Sequence, residues 1–175
     1  MPVSELKYLN SYSESTKNQV RVLLEQNKLA DVLLQKYSTA HGITTDKSLY
    51  EYVVELKNTH LRHSIPLNKA LFDSKIQVIK HALGLHTSIS RVQGNQLKTK
   101  REIRIASLFK NVPAEFLRMI VVHELAHFKE HDHNKAFYQL CVSMQSDYHQ
   151  VEFDLRLYLT HLDFTNSDLY KQPLW

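Results

Sequence analysis

The chain has 175 residues, 43% of them apolar, with a net charge of +4 and a single cysteine. This suffices for one domain with its own core, and it excludes an internal disulfide and a four-cysteine zinc module. No apolar run approaches membrane-spanning length; Met1-Pro2-Val3-Ser4-Glu5-Leu6-Lys7 lacks the apolar stretch of a secretion signal, so a cytoplasmic location is expected,.

Taken in chain order, Ser15 to about Lys36 repeats apolar residues at helical spacing (Val20, Leu23, Leu24, Val32, Leu33), with a break expected near Asn27,. Asp46 reads as the N-cap of a second helix through Leu49, Val53 and Leu56,. A further helix is expected from about Leu67 or Ser74 to Leu83, stopped by Gly84,. A β-hairpin follows, with one arm at Thr87–Val92, a loop opened by Gly94-Asn95, and a second arm from Arg101 to Phe109, where Ile103 and Ile105 alternate with Glu102 and Arg104,. Pro113 suits the first turn of a helix that runs through Phe116, Met119, Val121 and Leu125 to Phe128,. Its apolar residues fall on almost every side, the pattern of a buried helix. Polar residues 129–134 turn the chain into two last helices, Lys135–Met144 and about Asp147 to Leu162; a loose polar tail is expected after Asp163,. The fold class is therefore α+β and helix-rich, in a single domain: N-terminal helices to about residue 65, then hairpin, buried helix and closing helices over about 66–162.

The buried helix carries His123-Glu124-Leu125-Ala126-His127, an H-E-x-x-H motif,. Residues four apart share a helix face, so His123 and His127 can grip one metal ion. Glu124 stands one step around, where a carboxylate can act as general base toward a water on that ion. Buried polar side chains need partners, and a metal satisfies all three at once. Catalytic zinc takes three protein ligands. His133, past the helix end, is the expected third, with His131 and Glu152 as alternatives. Zinc is the expected cofactor, another divalent cation being the alternative.

The chain is modestly basic, and Arg91, Lys98, Lys100, Arg101 and Arg104 cluster on the hairpin. Such a cluster is either a solvated face or an anion site. With no P-loop and no G-x-G-x-x-G available from only three glycines, phosphates must be held by metal and basic side chains,. Tyr148, at the start of the last helix, reads first as a capping and packing residue; contact with substrate, as an oxyanion donor, is its alternative role.

His-Glu-Leu-Ala-His at 123–127, His133, Phe137-Tyr138, Gly-Leu-His-Thr at 84–87 and Asp-Tyr-His-Gln at 147–150 together resemble the YgjP-like metallopeptidase-domain family. One departure is Ser90-Arg91-Val92-Gln93-Gly94, where the family often has Ser-Arg-Trp-Gly-Ser. The resemblance implies a zincin-like fold, with zinc on two helix histidines and one downstream histidine. It also implies two candidate activities: peptide hydrolysis, from the family's motif, and release of UMP and diphosphate from UTP, an activity known within it. Peptidase stands first and nucleotide pyrophosphatase second, with a non-catalytic, metal-stabilised binding module third. The expected partner is a peptide or nucleotide substrate; membrane and nucleic acid are not expected.

Overall fold

A computed structural model describes residues 6–76, 101–165 and 174–175. Among these residues it contains six α-helices: α1 Glu14–Glu25, α2 Leu29–Lys36, α3 Asp46–His60, α4 Ala114–Ala126, α5 Lys135–Met144 and α6 Tyr148–Phe164. Two strands, β1 Leu67–Asp73 and β2 Arg101–Ala106, and two 3-10 turns, Lys7–Leu9 and Ser107–Asn111, complete the described elements. The fold is the helix-rich α+β arrangement expected of a zincin-like domain, with a small sheet beside the H-E-x-x-H helix.

The break near Asn27 is present and has a local cause. Asn27 adopts φ 54°, the left-handed region that asparagine tolerates better than most side chains,. The Asn27 N–H bonds Leu24 O, and the Lys28 N–H bonds Leu23 O. This pair of bonds closes the C-terminus of α1 as a Schellman motif. Helix α3 begins one residue earlier than expected. Thr45 is its N-cap and forms a reciprocal capping box with Ser48,. Asp46 is instead the first helical residue, and its Oδ1 accepts the Phe72 N–H at 2.9 Å, tying α3 to β1.

The sheet corrects two expectations. Leu67–Asp73 is a strand, so the option of a helix starting at Leu67 is overturned. Its residues favour helix locally, but Leu67, Ala70 and Phe72 are buried against neighbours, and Tyr50 OH donates to Leu67 O at 3.3 Å,. For the other option, a start at about Ser74, Ser74 and Lys75 form a turn, and the rest of the expected helix, residues 77–83, lies outside the described residues. The second expected hairpin arm is strand only to Ala106, and Ser107–Asn111 is 3-10. Its observed partner is β1, in parallel, with Ala70 opposite Ile103 and Phe72 opposite Ile105. Parallel neighbours need a long crossover, here residues 74–100. The expected first arm, 87–92, lies outside the described residues.

The core is one apolar cluster. Ile103 and Ile105 of β2 enter it from the sheet, Phe116, Leu117, Val121 and Val122 from α4, and Leu155, Tyr158 and Leu162 from α6. Helix α4 is buried along most of its length, as its all-round apolar pattern predicts,. At the chain's end a loose tail was expected, yet Trp175 packs edge-on to Phe116 at 5.6 Å between ring centroids and donates its indole N–H to Tyr37 O.

Candidate metal centre

Helix α4 presents His123 and His127 at its C-terminal end, 3% and 4% exposed. The chain then turns through 128–134, and exposed His133 returns over the same spot just before Asn134 caps α5. The three Nε2 atoms converge: 3.3 Å separates His123 from His127, and 3.1 Å separates His133 from each. Three nitrogens bound tetrahedrally at zinc's ~2.0–2.1 Å would stand about 3.3 Å apart, so the spacing suits such an ion.

The outer faces of the rings agree. His127 Nδ1 lies 2.8 Å from Glu130 O. A carbonyl only accepts, so the ring's proton is on Nδ1 and the Nε2 lone pair faces the cluster. His123 Nδ1 lies 2.8 Å from the Tyr148 hydroxyl. Beneath the cluster, buried Phe137 packs against all three imidazoles, with centroids 4.4–4.9 Å away. Three nitrogens aimed at one point in a pocket with an aromatic floor can hold a divalent metal,.

Glu124 follows His123 on α4 and is half-buried. Its carboxylate is not one of the three converging ligand groups. Burial pushes its pKa up to about 8, because the charged form loses water,. Positive charge nearby favours the ionised, proton-accepting form.

Of the other candidate residues, some are near the cluster and some are not. His131 is exposed and outside it. Glu152 accepts from Arg156 at 2.9 Å, and that arginine also bonds Tyr8 O, so Glu152 belongs to a separate contact between α6 and the N-terminal turn. Arg104 is engaged with Asp73 at 2.9 Å and Glu102 at 2.7 Å, bracing the sheet. Arg101 lies at the start of β2, its guanidinium 5.2 Å from the ring centroid of Phe128, the residue after His127. Its Nε is buried with no hydrogen-bond partner among the described residues. Arg91, Lys98 and Lys100 lie outside the described residues. Tyr148 is fully buried, which fits a packing role and not contact with substrate; its hydroxyl meets His123. Burial pushes the Cys141 thiol up to about 12, so it is neutral at pH 7,.

Sequence reasoning missed two parts of this centre. One is the floor, Phe137, whose position one turn into α5 carries only a weak signal. The other is the Glu130 carbonyl, a backbone group that no residue type reveals.

Fold and site together define a metal-dependent hydrolase of the zincin-like kind. The family profile described as YgjP-like, metallopeptidase domain, matches residues 18–158, and the chain belongs to that family. It is 56% identical over 167 residues to the UTP pyrophosphatase of Escherichia coli (strain K12), covering 95% of this chain and 100% of that relative. No solved structure matches the chain. Among the described residues, no helix is long and apolar enough to cross a membrane.

Proposed function

We propose that this chain is a zinc-dependent nucleoside triphosphate pyrophosphatase that converts UTP and water to UMP and diphosphate. The observation that carries this reading is its 56% identity, along nearly its full length, to an enzyme named for that activity. Two features support it: His123, His127 and His133 would hold the ion, and Glu124 is the next residue after His123 on the same helix. When bound, zinc supplies Lewis-acid chemistry, lowering the pKa of a water to ~7 and drawing charge from substrate oxygens.

The chain's own residues do the rest. Glu124 accepts the proton of the attacking water. The water oxygen bonds to the α-phosphorus as the bond from that phosphorus to the bridging oxygen breaks, and diphosphate leaves with that oxygen. Arg101 holds phosphate oxygens; it is the described arginine of β2 whose guanidinium is not committed to an ion pair, and it lies over the ring of Phe128, the residue after His127,. Arg104 is spent on Asp73 and Glu102 and takes no part.

The family's own description favours a second reading, in which the same residues hydrolyse a peptide. Purified protein incubated with UTP, and separately with casein, decides between them. The proposal expects diphosphate from UTP. Glu124→Gln should keep its metal and lose at least ~100-fold in turnover, the usual weight of a general base. Cleavage of casein with no turnover of UTP would establish the peptidase instead.

A further inference from the structure

A buried pair stands behind the metal centre, and the hydrolytic chemistry above makes no use of its second member. His123 Nδ1 lies 2.8 Å from the Tyr148 hydroxyl. Both residues are at most 3% exposed. They come from two different helices, α4 and α6, so the contact also pins α6 to the helix that carries His123. We propose that Tyr148 is a positioning residue of the metal centre, its hydroxyl accepting the Nδ1–H of His123 and so holding Nε2 toward the ion. The inference rests on His123, His127 and His133 being the ligands.

The direction of the contact follows from its chemistry. A histidine that ligates through Nε2 carries its proton on Nδ1, and that N–H must donate. A phenol oxygen can accept it while its own O–H points elsewhere. The order is therefore His123 Nδ1–H to Tyr148 Oη. His127 solves the same problem with the fixed carbonyl of Glu130. A carbonyl permits one tautomer only. A phenol, both donor and acceptor, permits either, so the tautomer of His123 is a result that can be measured.

The test is zinc affinity, read by competition with a chromophoric chelator, beside the melting temperature of the metal-free protein. Partners of this kind are worth about 10- to 100-fold in metal affinity. Tyr148→Phe keeps the ring in the core and removes only the hydroxyl. The expected result is a zinc affinity weaker by about that factor. A purely structural role would lower the metal-free melting temperature and leave the affinity unchanged, and that outcome overturns the proposal. Should Tyr148→Phe not fold, 15N spectra of the histidines in zinc-loaded wild type give the answer without a variant. A protected Nδ1–H on His123 supports the proposal, and an unprotonated Nδ1 overturns it. Wild-type protein that takes up no zinc overturns the ligand assignment and this inference with it. Wild type that binds zinc no more tightly than Tyr148→Phe overturns this inference alone.

Discussion

Arg101 and Arg104 stand three residues apart on one strand, and the structure gives them opposite work. Arg104 is half-buried between Asp73 and Glu102; the Lys75 N–H, and then Arg104, hold the Asp73 carboxyl below its ordinary range, while Asp73 and Glu102 keep the arginine charged,. Arg101 lies over the ring of Phe128, the residue after His127. Arg101→Ala should therefore raise the KM for UTP several-fold with little change in melting temperature. Arg104→Ala should lower the melting temperature and leave KM near wild type. Steady-state kinetics and a thermal melt on each variant check the pair; a KM effect confined to Arg104→Ala would reverse the assignment. At this scale the metal centre was legible because its signal is a spacing. His123 and His127 follow from helix periodicity, and His133 from the need for a third ligand just past the helix end. For Tyr148 the sequence indicates packing but not that its hydroxyl ends against His123.

Elements were legible where local chemistry decides them. Lys135–Met144 stands where its pattern placed it, and Asn134 caps it by accepting the Phe137 N–H. The α1–α2 break also follows from one residue. Because Asn27 sits at φ 54°, Asn27→Ala should destabilise the protein by roughly 1 kcal/mol while Asn27→Gly stays near neutral,. Urea unfolding midpoints measure both; an alanine variant as stable as the glycine one would deny the motif its role. Strand β1 was illegible for the opposite reason. Leu67-Asn68-Lys69-Ala70-Leu71-Phe72 reads as helix locally, and its extended form is imposed by pairing with β2 and by bonds from Tyr50 and Asp46 on α3. Partners that lie 17 to 34 residues away leave no mark on a local window.

Across the whole molecule, burial of histidine outside the metal centre sets a pH limit. His41 is held by two bonds of fixed sense: its Nε2–H donates to Phe109 O at 2.7 Å, and its Nδ1 accepts the Ile43 N–H at 2.9 Å. Protonating Nδ1 would set it against that N–H. Burial lowers the pKa of His41, and of His161, below the ordinary value of about 6.5,. As pH falls, the unfolded chain takes up these protons first. The stability from both groups is thus complete above about pH 6.5 and is lost progressively below it. Urea midpoints should fall between about pH 6.5 and 5, and the fall should be shallower in His41→Gln. A midpoint in that variant with unchanged pH dependence would show that His41 carries no such linkage. The contact itself matters for the site, because His41 joins the segment before α3 to the turn that launches α4, through His41 N–H to Val112 O as well.

The central claim is that one ion, gripped by three histidines, makes this chain a nucleotide pyrophosphatase. The direct test is to titrate metal-free protein with zinc while recording diphosphate release from UTP. The account predicts a rate that climbs linearly and breaks at one zinc per chain, with His133→Ala requiring a large excess of zinc to reach any rate. Release that is indifferent to chelator, or a chain that binds one zinc and still leaves UTP intact, would contradict it.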